Sequence, residues 1–237
     1  MEELKNSIFS DLKIPSESTV KLIDKTLFFE KWEWDYEDFL TFQKQAQLII
    51  QKNRDYKVYI FCNHPHCFTL GRGNERGQEE LVDFNKQLIK NLKYKVYTIH
   101  RGGGITFHYP GQWIFYPVVA ISSTYTLDDH MCWLLKSVTE VLKKSFSLEK
   151  VMTAKKLMGI WCDRQKLASI GIGLNRFVTE HGLALNLNYD VDMFEELKKI
   201  NPCGMNPTTY LALSQLKKDH DQSTLIEKFH REYTLKL

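Results

Sequence analysis

The sequence predicts an α/β chain of the α+β kind: a mixed, mainly antiparallel sheet flanked by helices. Three observations predict it. Short β-like runs crowd between residues 157 and 188, separated by turns as brief as Asp163-Arg164-Gln165, as in a meander. Residues 113–121 are apolar on both alternating faces, as in a central strand covered on both sides. Two segments, 36–53 and 128–146, repeat apolar residues at helical spacing outside those runs.

Taken in order, residues 1–18 read as a loosely held leader. In 36–53, Phe39, Leu40, Phe42, Ala46, Ile49 and Ile50 mark one helical face, with Asp35 placed to cap it. Residues 57–62 read as a strand ended by His64-Pro65, and Phe68-Thr69-Leu70-Gly71-Arg72-Gly73 as a break with glycines around an arginine. Residues 81–91 suit a short helix or mixed segment, and 94–100 a strand that runs into Gly102-Gly103-Gly104. In 128–146, Met131, Leu134, Leu135, Val138 and Leu142 recur at helical spacing, with Asp128 and Asp129 favouring the first turn. Residues 158–162, 167–174 and 182–187 are the strands of the meander, and 224–233 close the chain as a helix.

No repeat, linker or low-complexity tract divides the 237 residues, so 1–237 reads as a single domain. The net charge of +3, from 32 basic and 29 acidic residues, is too small to point to a nucleic-acid partner. No apolar run reaches the length of a membrane span. The first eleven residues hold Glu2, Glu3 and Asp11 and no arginine, unlike a secretory signal or transit peptide. Five cysteines without framework spacing fit a reducing compartment, and the expected location is cytoplasmic.

The segment Arg101-Gly102-Gly103-Gly104-Ile105-Thr106-Phe107-His108 suits a ligand-holding loop. Three glycines expose backbone N–H groups, bracketed by a fixed cation and a titratable ring. It lacks the Lys-Ser/Thr of a P-loop. Cys203, between Pro202 and Gly204, is either a nucleophile in an open turn or a buried turn cysteine. Lys166, at the head of a small and apolar run, is either a pocket cation able to lower a thiol's pKa or a surface charge. His181 either meets a substrate or braces a turn. Cys62, His64, His66 and Cys67 have the residue types of a zinc site, but Pro65 interrupts them and no second cluster completes four ligands, so no metal is expected.

Together these pieces resemble the lipoyl(octanoyl) transferase family. The resemblance is carried by Phe68-Thr69-Leu70-Gly71-Arg72, Arg101-Gly102-Gly103 with Thr106-Phe107-His108, and Pro110-Gly111-Gln112. It continues through Gly159-Ile160-Trp161, Lys166-Leu167-Ala168-Ser169-Ile170-Gly171, His181-Gly182-Leu183-Ala184-Leu185-Asn186 and Pro202-Cys203-Gly204. It implies the fold of lipoate- and biotin-protein ligases, a catalytic pair of Cys203 and Lys166, and an acyl-pocket loop at 101–108. Further substrate contacts would come from Ser169, Ile170 and Gly171 and from Gly182, Leu183 and Ala184, with His181 beside them. It implies no cofactor, octanoyl-acyl carrier protein as donor, and as acceptors the lipoyl domains of 2-oxoacid dehydrogenase E2 subunits and the glycine cleavage H protein. An ATP-dependent ligase and a non-catalytic acyl or lipoyl-domain binder are the alternatives. The family usually has Gln at the position of Gly104 and Gly at that of Tyr109. Those departures imply a changed pocket mouth and added bulk beside His108.

Overall fold

The computed structural model describes residues 4, 6–72, 91–154, 159–199, 209–217 and 221–237. Its eleven described strands are β1 (Thr19–Ile23), β2 (Thr26–Lys31), β3 (Lys57–Cys62), β4 (Cys67–Leu70), β5 (Val96–Thr98), β6 (Ile105–His108), β7 (Gln112–Val118), β8 (Val151–Ala154), β9 (Gly159–Cys162), β10 (Gln165–Asn175) and β11 (Val178–Asn186). The described helices are α1 (Tyr36–Lys52), α2 (Leu127–Phe146), α3 (Val191–Lys199), α4 (Leu213–Leu216) and α5 (Gln222–Thr234).

Eight strands form one sheet in the order β1-β2-β3-β7-β11-β10-β9-β8, and β5-β4-β6 form a second, smaller one. Among the described strand pairs only β2–β3 and β4–β5 run parallel, so the mainly antiparallel expectation holds. β7 lies near the middle with every residue buried. Its Trp113 and Phe115 face one core layer, and Ile114, Tyr116 and Val118 face another. The first layer is closed by α2 and α5, through Leu134, Val138, Leu225 and Phe229. The second is closed by α1, through Phe39, Phe42, Ala46 and Ile50. A third layer packs Met193 and Leu197 of α3 against Phe68, Phe107 and Tyr109.

The first long helix begins where the sequence places its cap. Asp35 accepts hydrogen bonds from the Glu37 and Asp38 backbone N–H groups at 2.8 and 3.2 Å. Thr126 and Asp129 close a reciprocal capping box. Three features go beyond the sequence reading. β1 and β2 form a hairpin where no strand is expected. The stretch read as a leader puts Phe9 and Leu12 into the α1 layer, at 1% and 5% exposure. Finally, half of the glycine loop, Ile105–His108, is a strand. Most of the expected 81–91 element lies outside the described residues.

Candidate functional site

The site is assembled from the middle of the large sheet and the edge of the small one. A narrow cleft is lined by Tyr36 of α1, Arg101, Thr106 and His108 from the glycine loop and β6, and Tyr116 of β7. Ser169, Ile170 and Gly171 of β10 and His181, Gly182 and Ala184 of β11 complete it. Of the expected contact residues, Ile105 and Phe107 point instead into the third core layer, and Leu183 into the first. Gly102, Gly103 and Gly104 do not line the cleft. The Gly102 N–H is not bare: it donates to the Ile172 carbonyl at 3.1 Å. The glycines serve close approach. A Cβ on Gly71 would sit 2.4 Å from the Gly103 oxygen, and one on Gly171 would sit 3.0 Å from the Gly102 oxygen. Tyr36 and Tyr116 escape sequence reasoning because each looks like an ordinary apolar position of its helix or strand.

Arg101 is almost fully buried and tied in place. Its Nη2 donates to the Thr69 carbonyl, the Thr69 hydroxyl and the Thr106 hydroxyl, each at 2.9 Å, and its Nη1 to the Gly102 carbonyl at 3.0 Å. The order continues inward. The Thr69 hydroxyl donates to His108 Nε2 at 3.1 Å, and His108 Nδ1 donates to Gln112 Oε1 at 3.0 Å. Gln112 Nε2 donates to the Phe107 carbonyl and to Asn186 Oδ1, both at 3.0 Å, and Asn186 Nδ2 donates to the Leu211 carbonyl at 3.2 Å. The carbonyls at the far end fix the Asn186 and Gln112 amides, and these fix the His108 tautomer. Both ring nitrogens of His108 are therefore engaged.

Burial lowers the pKa of His108 well below the usual imidazole range, with His64 and Arg101 reinforcing the effect. Burial and Arg101 bring His181 down to about 3. Both rings are neutral at pH 7, and His108 has neither the basicity nor a free nitrogen for a general base. His181 differs. It has a positive φ of 60° within β11, a conformation that non-glycine residues avoid, and its buried Nδ1 has no hydrogen-bond partner among the described residues.

Lys166 is buried, at 7% exposure, and its placement depends on a β-bulge. On β10, Lys166 pairs with Trp161 and Ala168 with Ile160, leaving Leu167 as an extra residue. Leu167 and Ala168 both enter the first core layer. Lys166 is thereby turned to the face that carries Ser169 and Gly171, the cleft face. Its ammonium lies 5.6 Å from the centre of the Trp161 ring. Its stem crosses Gly159, where a Cβ would approach Lys166 Cε to 2.8 Å. On the other edge Lys166 bridges to Tyr210, and its carbonyl accepts from the Leu211 N–H at 3.0 Å. Cys203 lies outside the described residues.

The Cys/His cluster splits, with Cys62 Sγ still 3.8 Å from His64 Nε2. His64 is buried, shifted down to about 4, and its Nδ1 donates to the Trp34 carbonyl at 2.7 Å. His66 instead meets Asp190 at 3.0 Å. Among the described residues, no three metal-binding side chains converge. Tyr109 is turned away from the cleft: its ring packs against Gly111 in the third layer and its hydroxyl donates to the Asn188 carbonyl at 3.0 Å. No described helix is long and apolar enough to cross a membrane.

Residues 35–234 match the model of the lipoyl protein ligase A/B catalytic domain. The octanoyltransferase of Caldicellulosiruptor saccharolyticus is 30% identical over 77% of this chain and 75% of its own length. The octanoyltransferase of Prochlorococcus marinus MIT 9211 is 34% identical over 82% and 79%. The crystal structure of P. falciparum LipL1 in complex with lipoate shares the fold, with a TM-score of 0.63 at 14% identity; the match covers 88% of this chain and 61% of that one. The chain belongs to the lipoyl(octanoyl) transferase family, within the wider group built on the lipoate-ligase catalytic domain.

Proposed function

We propose that this chain moves an octanoyl group from octanoyl-acyl carrier protein to a lysine of a lipoyl domain, through a thioester on Cys203. The observation that carries the reading is Lys166, a buried lysine held by a strand irregularity on the same sheet face as Ser169 and Gly171 of the cleft, which Arg101 also lines. In the first half-reaction the Cys203 thiolate attacks the donor's thioester carbonyl. The bond to the carrier's sulfur breaks, and that thiolate leaves and takes up a proton. In the second, the acceptor's ε-amine attacks the acyl-enzyme, an amide forms, the Cys203 thiolate is released and the amine's proton passes to a base. Charged, Lys166 favours the thiolate; neutral, it accepts the amine's proton. The nitrogen that His181 leaves unpaired suits it to steady the thioester oxygen, a role His108 has no free nitrogen to fill.

The donor is already activated, so no ATP or other cofactor enters the scheme. The acceptors are lipoyl domains of 2-oxoacid dehydrogenase E2 subunits and the glycine cleavage H protein, and the compartment is the reducing cytoplasm. The test is intact-mass spectrometry after incubation with octanoyl-acyl carrier protein without ATP. A hydroxylamine-sensitive octanoyl adduct on the wild type, absent from Cys203→Ala, is the expected result. No adduct, with lipoyl-domain octanoylation only when free octanoate and ATP are supplied, would replace this reading with an ATP-dependent ligase.

A further inference from the structure

A buried ammonium is costly unless a neighbouring group compensates for its lost hydration. Trp161 is the direct cross-strand partner of Lys166 on β9, so the two side chains share a face of the sheet. The indole is itself buried, at 7% exposure, and anchored in the third core layer with Phe107, Tyr109 and Tyr210. Gly159, two residues earlier on the same strand and face, leaves the space that the lysine stem crosses. Stem, ring and bulge together make a slot for one lysine.

We propose that Trp161 is a positioning residue for Lys166: its ring face holds the ammonium, in the charged form, on the cleft side of the sheet. This rests on the acyl-enzyme reading for its catalytic meaning, but not for its physical content. An aromatic face attracts a cation and ignores a neutral amine, so it biases Lys166 toward the form that supports a thiolate. The ring therefore favours the first half-reaction, and the second must draw the lysine away from it. Tyr210 of the bridging segment is in the same apolar layer, and Asp163, in the β9–β10 turn, is exposed and faces Lys150 at 3.7 Å.

The experiment compares wild type, Trp161→Phe and Trp161→Leu. Competitive acetylation of Lys166 across pH, read by peptide mass spectrometry, follows the lysine's own titration. Its midpoint is expected to fall by about one pH unit in Trp161→Leu and to stay near wild type in Trp161→Phe. Acylation by octanoyl-acyl carrier protein at pH 7 is expected to slow about 5- to 30-fold in Trp161→Leu, with Phe restoring most of it. Transfer from preformed acyl-enzyme to a lipoyl domain is expected to slow less. An unmoved Lys166 midpoint in Trp161→Leu, or an equal loss in both half-reactions that Phe does not rescue, would overturn the proposal and leave Trp161 a packing residue. If wild type forms no acyl-enzyme, the transfer reading fails on its own, and the acetylation midpoint still decides whether Trp161 holds Lys166.

Discussion

Acidification is expected to unfold this protein unusually early, because four histidines are buried in neutral form. Burial is the largest cause in each case. It brings His64 and His130 down to about 4 and His181 to about 3, and holds His108 well below the ordinary range. In the unfolded chain all four titrate near 6.5, so as the pH falls the unfolded state takes up their protons first. Their contribution to stability is complete above that pH and is lost as the pH drops toward the folded values. Each such group contributes a slope of up to about 1.4 kcal/mol per pH unit, which makes about 2 kcal/mol lost per histidine at pH 5. Four together approach 8 kcal/mol, comparable with the roughly 5–15 kcal/mol that holds a typical domain folded. Glu180 works in the opposite sense, since burial raises its carboxyl, but it is one group against four. Urea titrations at pH 7.5, 6.5, 5.5 and 5.0 measure the slope. His130 lies outside the cleft, so His130→Phe should flatten the curve by about one proton's worth. A wild-type slope below about 1.4 kcal/mol per unit between pH 6 and 5 would mean that at most one of these rings is kept neutral by folding, and the reasoning would be refuted.

The glycines of the site should respond very differently to alanine. At Gly182 a Cβ would lie 2.2 Å from the Phe115 carbonyl oxygen on the paired strand, so Gly182→Ala must separate β11 from β7. The expected cost is about 1–3 kcal/mol or more by thermal melting. At Gly102 the nearest neighbour of a Cβ is the Ile172 oxygen at 3.7 Å, so Gly102→Ala should melt within about 0.5 kcal/mol of wild type. Tyr109→Phe removes the hydrogen bond to Asn188 and should lower stability by about 0.5–1.5 kcal/mol. Because the Tyr109 ring faces away from the cleft, the ratio of octanoyl to decanoyl transfer should not move; a shifted ratio would return Tyr109 to the acyl pocket.

The fold was legible where periodicity and caps agreed. Asp35 marks a real helix start, and the uninterrupted apolar run at β7 is the buried middle of the sheet, whereas the Thr126 cap of α2 was passed over. The β1–β2 hairpin was missed although Thr19-Val20-Lys21-Leu22 alternates polar and apolar, because the run is only five residues long and buries neither face fully. The leader's role was hidden because its packing residues, Leu4, Phe9 and Leu12 with Ile8 and Ile14 against them, are scattered among polar ones over a short stretch. In the site, the residue types were readable and their employment was not. Nothing in Arg101-Gly102-Gly103 says that the Gly102 N–H is already taken by Ile172, or that Arg101 spends its donors on Thr69 and Thr106. Such assignments depend on strands far apart in sequence. The bulge at Leu167 is likewise invisible in one strand, since it exists only against the register of β9.

That single unpaired residue makes the lysine's direction a question of parity. Side chains alternate along a strand, and the ladder counts one step from Lys166 to Ala168 where the chain counts two, so Lys166 and Gln165 each face the side opposite to the one an unbroken strand would give. An unbroken strand that paired Leu167 in register would turn Lys166 to the side of Ala168, into the layer of Leu134 and Phe229, and send its neighbours to the opposite side. The β9–β10 turn has no such constraint and can vary in length. Within this stretch, then, the direction of Lys166 is set at the one place, between residues 166 and 168, where ladder and chain count differently.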